Sequence, residues 1–285
     1  MKFKKGHILK RYLNEDCLNR FLNDFKFLFE IIKKSYGEYD IRLRDNYFNI
    51  YYQGNSLAKI NFESPDCYKI SVLKKFIEDG SGNSIFSDDL RFKALKATGE
   101  YEGFIVNKDL LHPFFQVKYI KKMASRIVTV NNGEEITFEQ MLITDNLDRD
   151  DLFIIDRQVM DQGLKGRMDL LALKQVEKDQ YQFLVLEVKL GKNNELKSKV
   201  VEQIGSYVNH INNNFTCWKE SYEKTYEQLK MTGIYQQPSY KKIQIVGEAK
   251  GCVVVGGYSG IADIYLGELK SAYPFVEVKR FKYEL

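Results

Sequence analysis

Three residues in the second half of the chain could do chemistry together: Asp169, Glu187 and Lys189. Glu187 and Lys189 sit in FLVLEVKL, residues 183–190, an apolar run of the kind that lies inside a sheet. Charges in such a strand are costly unless something compensates them. Residues i and i+2 of a strand share a face, so both side chains project from one surface while Val188 packs the other. Asp169 is the only acidic residue of RMDLLALK, residues 167–174, and the polar segment QVEKDQ joins the two runs. In a hairpin the paired positions keep a constant index sum, and a turn centred on residue 178 sets Asp169 opposite Glu187. Their Cβ atoms would then lie about 5 Å apart. Facing carboxylates repel each other, which calls for a cation between them. Two oxygen ligands with retained waters suit Mg²⁺. Lys189 alongside could orient or deprotonate a metal-bound water, or stabilise charge on a phosphate. That is equipment for metal-assisted phosphodiester hydrolysis.

The elements that must hold these residues are legible as an alternation. A helix over 134–145 precedes strands over 152–160, 167–174 and 182–190. A long helix follows from 194 past Tyr207, then a helix over 218–231, strands over 242–248 and 252–257, and a terminal helix and strand. In the front half, apolar spacing predicts one helix over 14–35, opened by Asn14 and closed near Gly37. Residues 39–62 read as a three-stranded meander turning at Asp45-Asn46 and Gly54-Asn55. EDGSGNSIFSDD, 78–89, reads as loop, and 114–130 as a basic amphipathic helix with Lys118, Lys121, Lys122 and Arg126. A boundary near Asn131-Asn132-Gly133 gives an N-terminal α+β domain over 1–130 and a second domain over 131–285. The fold class is α/β of the α+β kind.

Asp169, followed by Glu187-Val188-Lys189 on the next strand, resembles the PD-(D/E)XK nuclease superfamily, over about residues 134–208. The resemblance implies a restriction-endonuclease-like mixed sheet flanked by helices, and Mg²⁺ held by Asp169, Glu187 and the Val188 carbonyl, with Mn²⁺ able to substitute. It gives Lys189 the task of positioning and polarising the attacking water. VVEQIGSYV, with Gln203 and Tyr207, is similar to the QLxxY helix of archaeal mismatch endonucleases. The family also places a Glu on its first core helix. Here that implies Glu139, with Glu135 the alternative on the same face, as a further ligand or support. Met168 stands where the family name has Pro. The implied activity is an endo- or exodeoxyribonuclease of restriction, repair or microbial defence, its partner DNA, with RNA the alternative substrate and a homodimer the form many relatives use. The rival reading is a non-catalytic nucleic-acid-binding module on the same fold.

E-x-K alone is weak in this chain, because 248–250, 268–270 and 277–279 repeat it. None of these has an aspartate strand, a short turn and a following helix together, although Asp263 precedes Glu277. Asp156 is a candidate second ligand but reads better as a strand-end residue. Arg157 and Arg167 could meet phosphate but read better as surface arginines. His7, His112 and His210 are widely separated, which disfavours a histidine-metal nuclease, and His112 before Pro113 reads as a turn residue. No P-loop and no GxSxG elbow is present. Four scattered cysteines without a CxxC pair point to reduced thiols and a cytoplasmic protein. No apolar run reaches membrane-spanning length, and the N-terminus has no apolar signal core. Residues 1–130 carry 23 basic against 16 acidic side chains, and 131–285 carry 20 against 23. A basic front half fits a polyanion partner, and an acidic back half a bound cation. Arg42, Arg44, Tyr47, Tyr51 and Lys59 interleave in the meander as a candidate face for stacking bases and gripping phosphates, or as its core.

Overall fold

The computed structural model describes residues 9–79, 81–92, 95, 99–131 and 133–282; His7 and the start of the chain lie outside them. The chain is α+β and divides into two compact units. One is Arg11–Gln140 with Gln228–Tyr235. The other takes the described residues of Met1–Lys10, Met141–Glu227 and Gln236–Leu285.

In the first unit, Asn14 caps α1 (Glu15–Asp24) by accepting from the Cys17 N–H, as its type and position predict. The single helix expected over 14–35 is two, because Phe25 leaves helical geometry at φ −110°, ψ 11° and α2 (Lys26–Lys33) starts afresh. Phe25 is fully buried between Phe48 and Tyr68, so ring packing wins over helix continuation. The expected meander is present as β1 (Tyr39–Arg44), β2 (Tyr47–Tyr52) and β3 (Asn55–Ser64). Its second turn falls at Gln53-Gly54, both at positive φ, with Asn55 already in β3. Two further strands, β4 (Cys67–Leu73) and β5 (Tyr101–Asn107), extend it to a five-stranded antiparallel sheet in sequential order. Between them lie α3 (Lys74–Ile77) and a loop whose described residues are 78–79 and 81–89. α4 (Leu111–Phe114) follows, so His112 is helical rather than in a turn, its ring 4.9 Å from that of Phe27. The basic helix is α5 (Val117–Val130), and the division between the units falls within α6 (Glu134–Thr144), after Gln140 rather than near 131–133.

Of the interleaved meander residues, Arg42, Arg44 and Tyr51 are core, not a phosphate-gripping face. Arg42 is fully buried with its Nε 2.8 Å from Asp40 Oδ2, and Arg44 is buried with Tyr51. A desolvated guanidinium is retained only when paired, and Asp40 supplies the pair. Tyr47 and Lys59 are half-buried on the inner strands β2 and β3, with the Lys59 ammonium 4.1 Å from the Tyr47 ring centroid, and Arg42 packs over the Tyr235 ring.

The second unit is built on a mixed sheet. β6 (Leu152–Val159), β7 (Met168–Glu177) and β8 (Gln180–Leu190) run antiparallel. After α7 (Lys199–Asn213) and α8 (Phe215–Met231), a two-residue β9 (Gln244–Ile245) stands where a longer strand was expected. β10 (Lys250–Gly256) pairs parallel with β8, and β11 (Glu277–Phe281) pairs parallel with β10 after α9 (Ser259–Ala272). The order is β11-β10-β8-β7-β6, with β9 on β8. Val253 and Val255 stand beside Glu187 and Lys189 in the parallel register and pack with Val200, Val201 and Ile204 of α7. Neighbours in register share a face, so Glu187 and Lys189 project toward the side that α7 covers. All four cysteines are free. No described helix is long and apolar enough to cross a membrane.

Candidate active site

The β7–β8 hairpin holds the register that its turn residues imply. Leu170 pairs with Leu186, and the same offset runs back to Gln175 and Tyr181 before a bulge near the turn. One step beyond Leu170, the backbone ladder gives way to a side chain: the Val188 N–H donates to Asp169 Oδ2 at 2.9 Å. In a strand the N–H and C=O of one residue point the same way, so the Val188 carbonyl also turns to the Asp169 side.

Lys189 is the centre of the cluster. Its Nζ donates to Glu187 Oε1 at 2.8 Å and lies 3.8 Å from Asp169 Oδ2. A third carboxylate, Glu195, comes to 3.6 Å from the same ammonium. Glu195 sits in the 3₁₀ turn Asn194–Lys197, opened by Asn193 accepting from the Glu195 N–H, and it also pairs with Lys199. With Glu187 ionised, three carboxylates against Lys189 and Lys199 leave the cluster one negative charge in excess.

Electrostatics separate the carboxylates. Burial pushes Glu187 up to about 7, Asp169 adds to the rise, and Lys189 opposes it. Glu195 is held below its usual range by the hydrogen bond from Lys199. Glu187 Oε2 is buried with no hydrogen-bond partner, so one oxygen of a desolvated carboxylate is left without compensation.

Tyr207 of α7 closes the cluster on the helix side. Burial, then Glu187 and Asp169, push its phenol up to about 12. Its hydroxyl donates to the Arg167 carbonyl at 3.3 Å, which ties the β6–β7 loop to the helix. Gly166 of that loop has φ +142°, and a Cβ there would meet the Tyr207 hydroxyl at 2.8 Å. His210, the next turn of α7, holds Asp161 of the same loop at 2.7 Å.

Asp169, Glu187, Val188 and Lys189 are thus brought together. Gln203 lies on α7, its Oε1 buried and without a hydrogen-bond partner. Glu139 is buried on α6 and, like Glu135, belongs to the other unit. Asp156 is not a strand-end residue: it is buried within β6, beside a bulge, and accepts from Tyr222 of α8 at 2.9 Å. Arg157 is fully buried rather than a surface arginine, whereas Arg167 is exposed. Glu195 and the His210–Asp161 clasp were not read from the sequence. A short-range signal for Glu195 existed in the capping Asn193 two residues before it.

The chain matches no family model, no curated protein and no solved structure.

Among the described residues no three His, Cys, Asp or Glu side chains are placed to hold a metal ion. A cation here would therefore rest on two carboxylates, main-chain oxygen and water. That all-oxygen set fits Mg²⁺ rather than zinc. The unpartnered Glu187 oxygen and the negative excess are consistent with such an ion.

Proposed function

We propose that this chain is a metal-dependent nuclease that hydrolyses phosphodiester bonds of DNA. The observation that carries the reading is the unpartnered, buried Glu187 oxygen beside Asp169, with the Lys189 ammonium in the same cluster. Glu187 and Asp169, with the Val188 carbonyl, would hold Mg²⁺. When bound, the ion would polarise the phosphate and acidify the attacking water. Asp169 is oriented for this by the Val188 N–H, which fixes one of its oxygens. Lys189, whose ammonium lies between Glu187 and Glu195, would donate to the scissile phosphate or the attacking water. Glu195 would serve as the acceptor that keeps Lys189 ordered. Gln203 offers a buried carbonyl oxygen on the helix that covers this face.

One observation favours a second reading. The ammonium already neutralises Glu187 at 2.8 Å, as it would in a purely structural ion pair on a nucleic-acid-binding module. A cleavage assay on single-stranded, duplex and branched DNA, with RNA in parallel, separates the two. The nuclease reading expects product that requires Mg²⁺ or Mn²⁺ and falls to background in Asp169→Ala and Lys189→Ala. Product that persists in Asp169→Ala defeats the residue assignment, and binding without cleavage by the native chain favours the module.

A further inference from the structure

The first unit contains a cavity of about 630 Å³ between α5 and the 78–89 loop. Its two walls have different chemistry. α5 contributes Lys122 and Arg126, one turn apart, with Ser125 beside them. Like charges at i and i+4 repel along a helix. Neither cation makes an ion pair within 4 Å among the described residues, although Arg126 is close enough to Asp79 to help lower its carboxyl, and the Arg126 Nε is buried with no hydrogen-bond partner. An anion would satisfy both.

The loop wall offers acceptors and hydroxyls. Asp79 is already committed: its Oδ1 accepts from the Ser81 N–H, the Ser81 hydroxyl and the Asn83 N–H, which shapes the loop and holds its carboxyl below the usual range. Asp88 and Ser87 line the space opposite the helix, with the Asn83 amide, whose nitrogen also donates to the Ser81 hydroxyl at 2.9 Å, beside them. Among the described residues Ile85 is the one apolar side chain at the cavity, and the aromatic rings nearby are spent on the core, where Phe86 stacks on Phe114. So hydrophilic a lining offers nothing to a flat base or an acyl chain. It offers cations to a phosphate on one side, and a carboxylate and amide to hydroxyl groups on the other.

We infer that this cavity binds a sugar phosphate, its phosphate against Lys122 and Arg126 and its sugar hydroxyls against Asp88 and Asn83. The inference stands on this unit alone and does not depend on the nuclease reading. A free sugar phosphate and the phosphorylated 5′ end of a nucleic acid present the same chemistry, and the test distinguishes them.

Isothermal titration calorimetry on the full chain would compare ribose 5-phosphate, ribose, inorganic phosphate, and a short single-stranded DNA with and without a 5′-phosphate. Ribose 5-phosphate is expected to bind, ribose not to, and inorganic phosphate to bind more weakly. Lys122→Ala and Arg126→Gln should each weaken binding by about tenfold or more. Lys122 is exposed, so its variant tests the site without disturbing the fold, and an unchanged melting temperature verifies this. Binding by the 5′-phosphorylated strand but not by the free sugar phosphate assigns the site to nucleic-acid ends. Equal binding of ribose and ribose 5-phosphate, affinity unchanged in Lys122→Ala, or no heat from any phosphate at millimolar concentration overturns the inference.

Discussion

Glu187 carries two oxygens in unlike circumstances: one accepts from Lys189, and the other is buried with no partner. Its folded-state titration near 7 lies above the ordinary 4.5. Below about 4.5 the folded and unfolded chains both hold the proton, and the group contributes no pH dependence. From there to about 7 the folded chain keeps a proton that the unfolded chain has lost, so stability must fall as pH rises. Above 7 the cost is constant. Glu187→Gln removes this titration, so its urea midpoint should decline less between pH 5 and 7 than that of the native chain. On the proposed reading Mg²⁺ binds the ionised carboxylate, and it should then recover native stability most strongly at the upper end of this window. Parallel midpoint curves for the two proteins would rule out Glu187 as the titrating group. The convergence of Asp169, Glu187 and Lys189 was legible because it follows from strand periodicity and one turn. Glu195 was not, because its approach to Lys189 depends on how a 3₁₀ turn folds back after β8.

At the scale of elements, the site depends on how closely α7 approaches the sheet. Gly251 of β10 stands beside Val185 in the register, and a Cβ there would lie 2.1 Å from Ile204 Cγ2. The missing side chain is therefore what lets α7 settle with Tyr207 near the carboxylates. Gly251→Ala should push the helix outward, costing about 1–3 kcal/mol by overpacking. The Tyr207 environment would change with it, so the phenol, raised to about 12 in the native chain, should titrate closer to its ordinary value of 10. Ultraviolet difference titration of the variant against Tyr207→Phe checks this, and an unaltered titration would show that the helix absorbs the extra methyl. Strands 152–159, 168–177 and 180–190 were legible as continuous apolar runs between polar turns. The break at Phe25 and the burial of Arg42 were not, since each is decided by a distant partner: Phe48 and Tyr68 for the ring, and Asp40 through a side-chain pairing that periodicity does not encode.

At the scale of the whole molecule, the chain does not complete one unit before starting the other. The division falls within α8, so that Trp218, Tyr222 and Tyr226 belong to the second unit and Gln228 to the first. Nothing in the local pattern of 215–231 announces this, because a helix that serves two cores reads as one amphipathic segment. Gln228 is buried, its Oε1 accepting from the Leu13 N–H at 2.9 Å and its Nε2 donating to the Leu13 carbonyl at 2.8 Å. Gln228→Ala would strand both backbone groups, at a cost of about 1–3 kcal/mol. That loss arises in the first unit, yet the chain's single tryptophan, Trp218, is fully buried in the other and lies on the same helix. If α8 transmits unfolding through its continuous backbone, the transition followed by Trp218 emission must shift to lower denaturant together with the far-ultraviolet circular dichroism of the whole chain. A variant whose dichroism transition moves while its tryptophan transition stays fixed would show instead that the two units unfold separately and that α8 frays between them.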